Sequence, residues 1–129
     1  MAADIANAGA NRYPALQTEN ADLAEIWAFR WRVFDLHIEE HDGRRALTEF
    51  IGRPPIVYPL VHQLREARWA GNNDLVRSTL TYWSEHLDDA WKWTSCPARS
   101  TIDWITVSGD VRFGTDLLQK NDVTNRMMV

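Results

Sequence analysis

Residues 20–43 read NADLAEIWAFRWRVFDLHIEEHDG, and the conformation of this stretch decides the fold. Asn20 suits a helix N-cap, because its side-chain oxygen can accept from an amide of the first turn. Asp22 and Glu25 favour the positive end of the helix dipole, and Asp42-Gly43 is a stop signal. The pattern predicts one long helix from about Ala21 to His41. At the helical rotation per residue, Leu23, Ile26, Trp27, Phe29, Trp31, Val33, Phe34, Leu36 and Ile38 spread over an arc of about 220°. Ala24, Glu25, Ala28, Arg32, Asp35 and Glu39 remain on the far side. So wide an apolar arc needs cover from other helices or from another subunit.

Before this segment, residues 1–19 are rich in alanine and asparagine, contain Pro14 and hold no period, which marks an N-terminal arm. After it, Arg44–Ile51 is expected as a short helix closed by Gly52 and Pro54-Pro55. Pro59 lacks an amide donor and fits the start of a helix. A third helix is therefore predicted up to about Ala70, with Leu60, Val61, Leu64 and Ala67 as its apolar stripe and Gly71 as its cap. Asn72, Asn73 and Asp74 offer the next N-cap, opening a second long helix over Leu75–Trp93. Its core stripe is Val76, Leu80, Trp83, Leu87, Ala90 and Trp91. Trp27, Phe34, Val76, Leu80, Trp83 and Leu87 are expected to share one core between the two long helices.

Beyond Cys96-Pro97 the pattern is weaker. Thr101–Val107 alternate as a strand does, and Val111–Phe113 can pair with them across Ser108-Gly109-Asp110, although Ser100 and Asp103 also match a capping box. The expected fold class is mainly α: a compact helical bundle of two long and two shorter helices, with a small β-hairpin near the C-terminus. A single helical domain over 20–121 and a polar tail over 122–129 complete the organisation.

The 129 residues, 45% hydrophobic and 25% charged, suit one folded core. The net charge of -4 gives no general attraction to nucleic acid or anionic lipid. Charge is segregated, however. Residues 1–42 carry eight acids against three arginines, whereas 43–70 carry five arginines, Arg44, Arg45, Arg53, Arg65 and Arg68, against two acids. Such a pattern suits pairing within the fold or across an oligomer. The same arginines, with Trp69 as a stacking platform, form a thin nucleic-acid footprint, and nucleic acid is not the expected partner. A lone cysteine, Cys96, excludes an intramolecular disulfide and fits a reducing compartment. No signal peptide or membrane span is recognised, so a cytoplasmic or otherwise intracellular location is expected.

His37-Ile38-Glu39-Glu40-His41 resembles the H-x-x-E-H pattern of inverted zinc peptidases. Histidines four apart on a helix project toward a common point, and Glu40 lies beside them to act on metal-bound water. A metal-dependent hydrolase with zinc on His37 and His41 is thus the alternative function, needing a third ligand such as Glu49, His62, Glu85 or His86. The match covers five residues, and histidine near a helix C-terminus is favoured by the dipole alone. No cofactor is therefore expected. Arg30, in the middle of the apolar arc, is expected to pair with an acid such as Asp88 or Asp89. No nucleophile elbow, phosphate loop or dinucleotide fingerprint is present.

Seven tryptophans, at 27, 31, 69, 83, 91, 93 and 104, exceed what one small core absorbs, and tryptophan, tyrosine and arginine are the residues enriched at binding hot spots. Beside the core stripe of the second long helix, Leu75, Tyr82, His86 and Trp93 form a second apolar row, the expected interface. The leading expectation is a non-enzymatic assembly, adaptor or inhibitor subunit of the kind phages and viruses encode, contacting a protein partner or copies of itself and no membrane.

Overall fold

A chain reversal at Asp42-Gly43 organises the molecule. The computed structural model describes residues 13–86 and 97–120. Over these residues the order is α1 (Ala21–Leu36), β1 (Ile38–His41), β2 (Arg44–Leu47), α2 (Leu60–Trp69), α3 (Asn73–Glu85), α4 (Pro97–Ser108) and α5 (Val111–Lys120). The protein is mostly helical with one small hairpin, and that hairpin lies toward the N-terminus.

The first helix therefore ends five residues before His41. Asn20 caps it as expected, its side chain accepting from the Leu23 amide at 3.1 Å. His37 closes it by donating its amide to the Phe34 carbonyl at 3.1 Å. Asp42 and Gly43 both take positive φ, 50° and 75°, the combination a two-residue type I′ turn requires. His41 faces Arg44 across that turn, and the antiparallel register continues to Ile38 opposite Leu47. Asp-Gly is thus a hairpin turn, and Arg44–Leu47 is a strand where a short helix was expected.

The hairpin is held by α3. On the outer edge of β2, the Arg45 carbonyl accepts from the Ser78 hydroxyl at 2.5 Å, and the Leu47 amide donates to Thr79 Oγ1 at 3.3 Å. Two helix hydroxyls thus satisfy backbone groups that an edge strand would otherwise leave unpaired. Ala46, Leu47 and Thr48 are buried there, while Arg44 clasps Glu85 through two bonds of 2.5 and 2.6 Å.

α2 and α3 form much as the sequence predicts. Pro59 precedes the first turn of α2 and Ala70 follows its last; Asn72 caps α3 by accepting from the Leu75 amide at 3.1 Å. The C-terminal segment departs from expectation. Thr101–Val107 lie inside α4 and Val111–Phe113 inside α5, so the hairpin expected there is a helix pair. Pro97 supplies a helix start, and Ala98, Thr101 and Trp104 bury at helical spacing. The hydroxyls of Thr101, Thr106 and Ser108 each donate to the carbonyl four residues back. Gly109, with φ 70°, ends α4 rather than turning a hairpin.

Phe34, Val76, Leu80 and Trp83 do share a core with Ala46, Leu47, Leu60, Leu64 and Trp104, and Trp27 packs on its margin. Leu87, and the helix expected to continue to Trp93, lie outside the described residues. Arginines tie the elements together: Arg65 of α2 meets Asp103 of α4 at 2.6 Å, and Arg77 of α3 meets Asp110 before α5 at 2.6 Å. No helix is long and apolar enough to cross a membrane among the described residues.

Candidate interaction surface

The wide apolar arc of α1 resolves into two faces. Trp27, Trp31 and Phe34 look toward the body of the protein, where Trp31 and Phe34 are buried. Residues 13–16 strap over that side. The Tyr13 ring stacks on Trp31 at 4.5 Å and 6°, its hydroxyl donates to Asp35, and Trp27 Nε1 donates to the Pro14 carbonyl at 2.8 Å. Arg30 reaches Glu66 of α2 at 2.5 Å; Asp88 and Asp89, the acids expected to pair with it, lie outside the described residues. Burial holds the Glu66 carboxyl above its ordinary value, although the positive charge of Arg30 pulls it down.

Between the strap, α1 and α2 runs an open groove of about 550 Å³ whose walls include Leu16, Trp27, Trp31 and Trp69. Trp69 stands at its mouth, 72% exposed. The inner face of α1 is therefore seated by an arm, an ion pair and a few aromatic rings, with a gap between it and α2.

Among the described residues nothing covers the outer face. Ile26 is 63% exposed, Phe29 57% and Leu36 58%, and Val33 lies half-buried between them. These positions share one side of the helix because steps of three, four and three residues return to nearly the same angle. Glu25 and Arg32 border the row on one edge, and Arg32 lies over the Phe29 ring at 5.8 Å. An ordinary side chain of this kind is worth about 1.5–3 kcal/mol when fully buried, and Ile26, Phe29 and Leu36 each keep more than half of their surface in water.

The row expected to contact another chain sits elsewhere. Leu75 and Tyr82 are only 2% and 6% exposed, and the hairpin supplies Tyr82 with a neighbour, the His41 ring edge-on at 6.4 Å. The Tyr82 ring stacks on His86 at 4.0 Å. His86 bonds the Tyr82 carbonyl through Nδ1 at 2.8 Å and Asp42 through Nε2 at 2.7 Å. Trp93 lies outside the described residues.

The H-x-x-E-H geometry is dismantled by the strand. His37 caps α1 with Nδ1 2.8 Å from the Thr48 carbonyl, whereas His41 ends β1 with Nε2 3.3 Å from Glu39. Alternation along β1 puts Glu40 on the face opposite His41. Among the described residues no cluster of three or more histidine, cysteine, aspartate or glutamate side chains is placed to hold a metal. The basic residues disperse likewise: Arg44 and Arg65 are taken by Glu85 and Asp103, Arg45 lies on the hairpin, Arg53 in the loop before α2 and Arg68 at the end of α2.

The outer row of α1 is not among the residues that the sequence marked for contact. Its signal was present as an arc too wide for one neighbour. No family model matches the chain, and no curated protein and no solved structure matches it either.

Proposed function

We propose that this chain is a non-enzymatic protein-contact subunit, an assembly or adaptor component that docks through the outer face of α1. The exposed row of Ile26, Phe29 and Leu36 on one regular helix carries this reading. Monomers rarely leave contiguous apolar patches beyond about 300–600 Å² in water, and an amphipathic helix face is a standard recognition element for another protein. Burying the open half of each side chain contributes about 1 kcal/mol or more. Support also comes from the loose seating of α1, whose inner side leaves a groove beside α2.

The test places a photo-crosslinking amino acid at position 29 in cells that make the protein naturally. A covalent protein adduct is expected, and Ile26→Asp with Leu36→Asp in the same chain reduces it at least fivefold. Both sites are exposed, so the pair leaves the fold intact within about 1 kcal/mol in total. Absence of any protein adduct from positions 26, 29 and 36 overturns the proposal.

A further inference from the structure

We infer that the partner on the outer face of α1 is the same face of a second copy of this chain, laid antiparallel across a two-fold axis near Phe29. The inference rests on the contact reading above and adds the identity and orientation of the partner. Ile26, Phe29, Val33 and Leu36 follow the three-four-three spacing that lets side chains of facing helices interdigitate. About an axis near Phe29, Ile26 and Phe29 pack against the same two residues of the second copy, and Val33 and Leu36 extend the row along the partner's first turn, the four covering roughly 15 Å. Beside it, Asp22, Glu25, Ile26, Phe29 and Arg32 enclose a shallow depression of about 240 Å³, with room for an aromatic ring from the facing helix.

Charge fixes the orientation. Glu25 and Arg32 stand on the same edge of the row, seven residues or two turns apart, and neither makes an ion pair among the described residues. A two-fold axis midway between them sets Glu25 against Arg32 of the partner subunit and, by symmetry, Arg32 against the partner's Glu25. Such self-complementarity is what an isologous contact demands. A parallel pair would instead direct Glu25 toward Arg30 of the partner subunit, and Arg30 is already bound to Glu66 at 2.5 Å.

Sedimentation equilibrium of the full chain at low salt, from about 10 to 500 µM, tests the inference, since a contact this short belongs with small, weak interfaces. A monomer–dimer equilibrium is expected. Glu25→Arg alone and Arg32→Glu alone each turn two attractive pairs into repulsive ones and weaken dimerisation about tenfold. The double variant Glu25→Arg/Arg32→Glu restores it to within about threefold of the original. A parallel pair gives the opposite result, because the double reversal there sets two arginines together at each flank. A monomeric mass throughout, single variants without effect, or a double variant that stays weak each overturn the inference. A monomeric mass together with a crosslink from position 29 to a different protein removes the self-pairing and leaves the contact reading standing.

Discussion

Gly114 shows how tightly two elements approach at one residue. It sits in α5 against α4, and a Cβ placed there meets the Ile105 side chain at 2.2 Å. Glycine costs about 1 kcal/mol in a helix relative to alanine, so propensity alone makes alanine the better residue. The steric conflict is larger, because Ile105 branches at Cβ and has few rotamers to escape into. Gly114→Ala is expected to lower stability by about 1–3 kcal/mol, the usual range for overpacking. In a denaturation cycle, combining it with Ile105→Ala should cost less than the two single changes added together. Additive losses would mean that the two side chains do not compete for that space. The same scale explains a misreading in the sequence. Gly43 and Gly109 each follow a polar residue and take positive φ, yet one turns a hairpin and the other ends a helix.

At the scale of elements, α1 is held differently from α3. α3 buries Leu75, Val76, Thr79, Leu80, Tyr82 and Trp83 on two adjoining stripes, whereas α1 buries only Trp31 and Phe34. Regions with few buried apolar contacts open at lower free energy than the core. In a dilute sample, the backbone amides of α1 are expected to exchange with deuterium at least tenfold faster than those of α3, and to slow as concentration rises. Equal protection of the two helices would contradict the weak seating of α1. Much of this architecture was legible beforehand: Asn20, Pro59 and Asn72 mark helix starts by their own chemistry. The hairpin was not legible, because His37, Ile38 and His41 keep a helical period through the end of β1. What overrides that period is the turn at Asp42-Gly43 together with the hydroxyls of Ser78 and Thr79 on β2, which lie some thirty residues away and outside any local window. For the same reason the surplus of apolar surface could be read from the width of the arc, but not the side of α1 on which it would remain.

At the scale of the whole molecule, four arginine–carboxylate pairs among the described residues join elements distant in sequence, and two of their acids report on pH. Glu85 lies below its ordinary value of 4.5 because Arg44 hydrogen-bonds it, with the charges of Arg44, Lys120 and His86 adding to the effect and burial opposing it. Burial would raise Asp110, but bonds from Arg77 and Trp104, the charge of Arg77 and a backbone bond from Phe113 outweigh it and leave the group below 3.8. Both shifts favour the ionised acid in the fold. Their stabilisation is complete above the ordinary values and is lost as pH falls through the lower folded ones. Thermal melts should therefore show Tm falling between about pH 5 and pH 2.5, and falling less steeply in Arg44→Gln/Arg77→Gln. An unchanged slope would assign the acid sensitivity to other groups. The strap over α1 has a consequence of a different sort. Tyr13 parallel to Trp31, with Trp27 nearly perpendicular to it at 5.7 Å, fixes three chromophores in a chiral arrangement. Near-ultraviolet circular dichroism arises from such fixed packing and vanishes when it loosens. The protein thus carries an intrinsic optical gauge of whether its strap is seated, readable without any label.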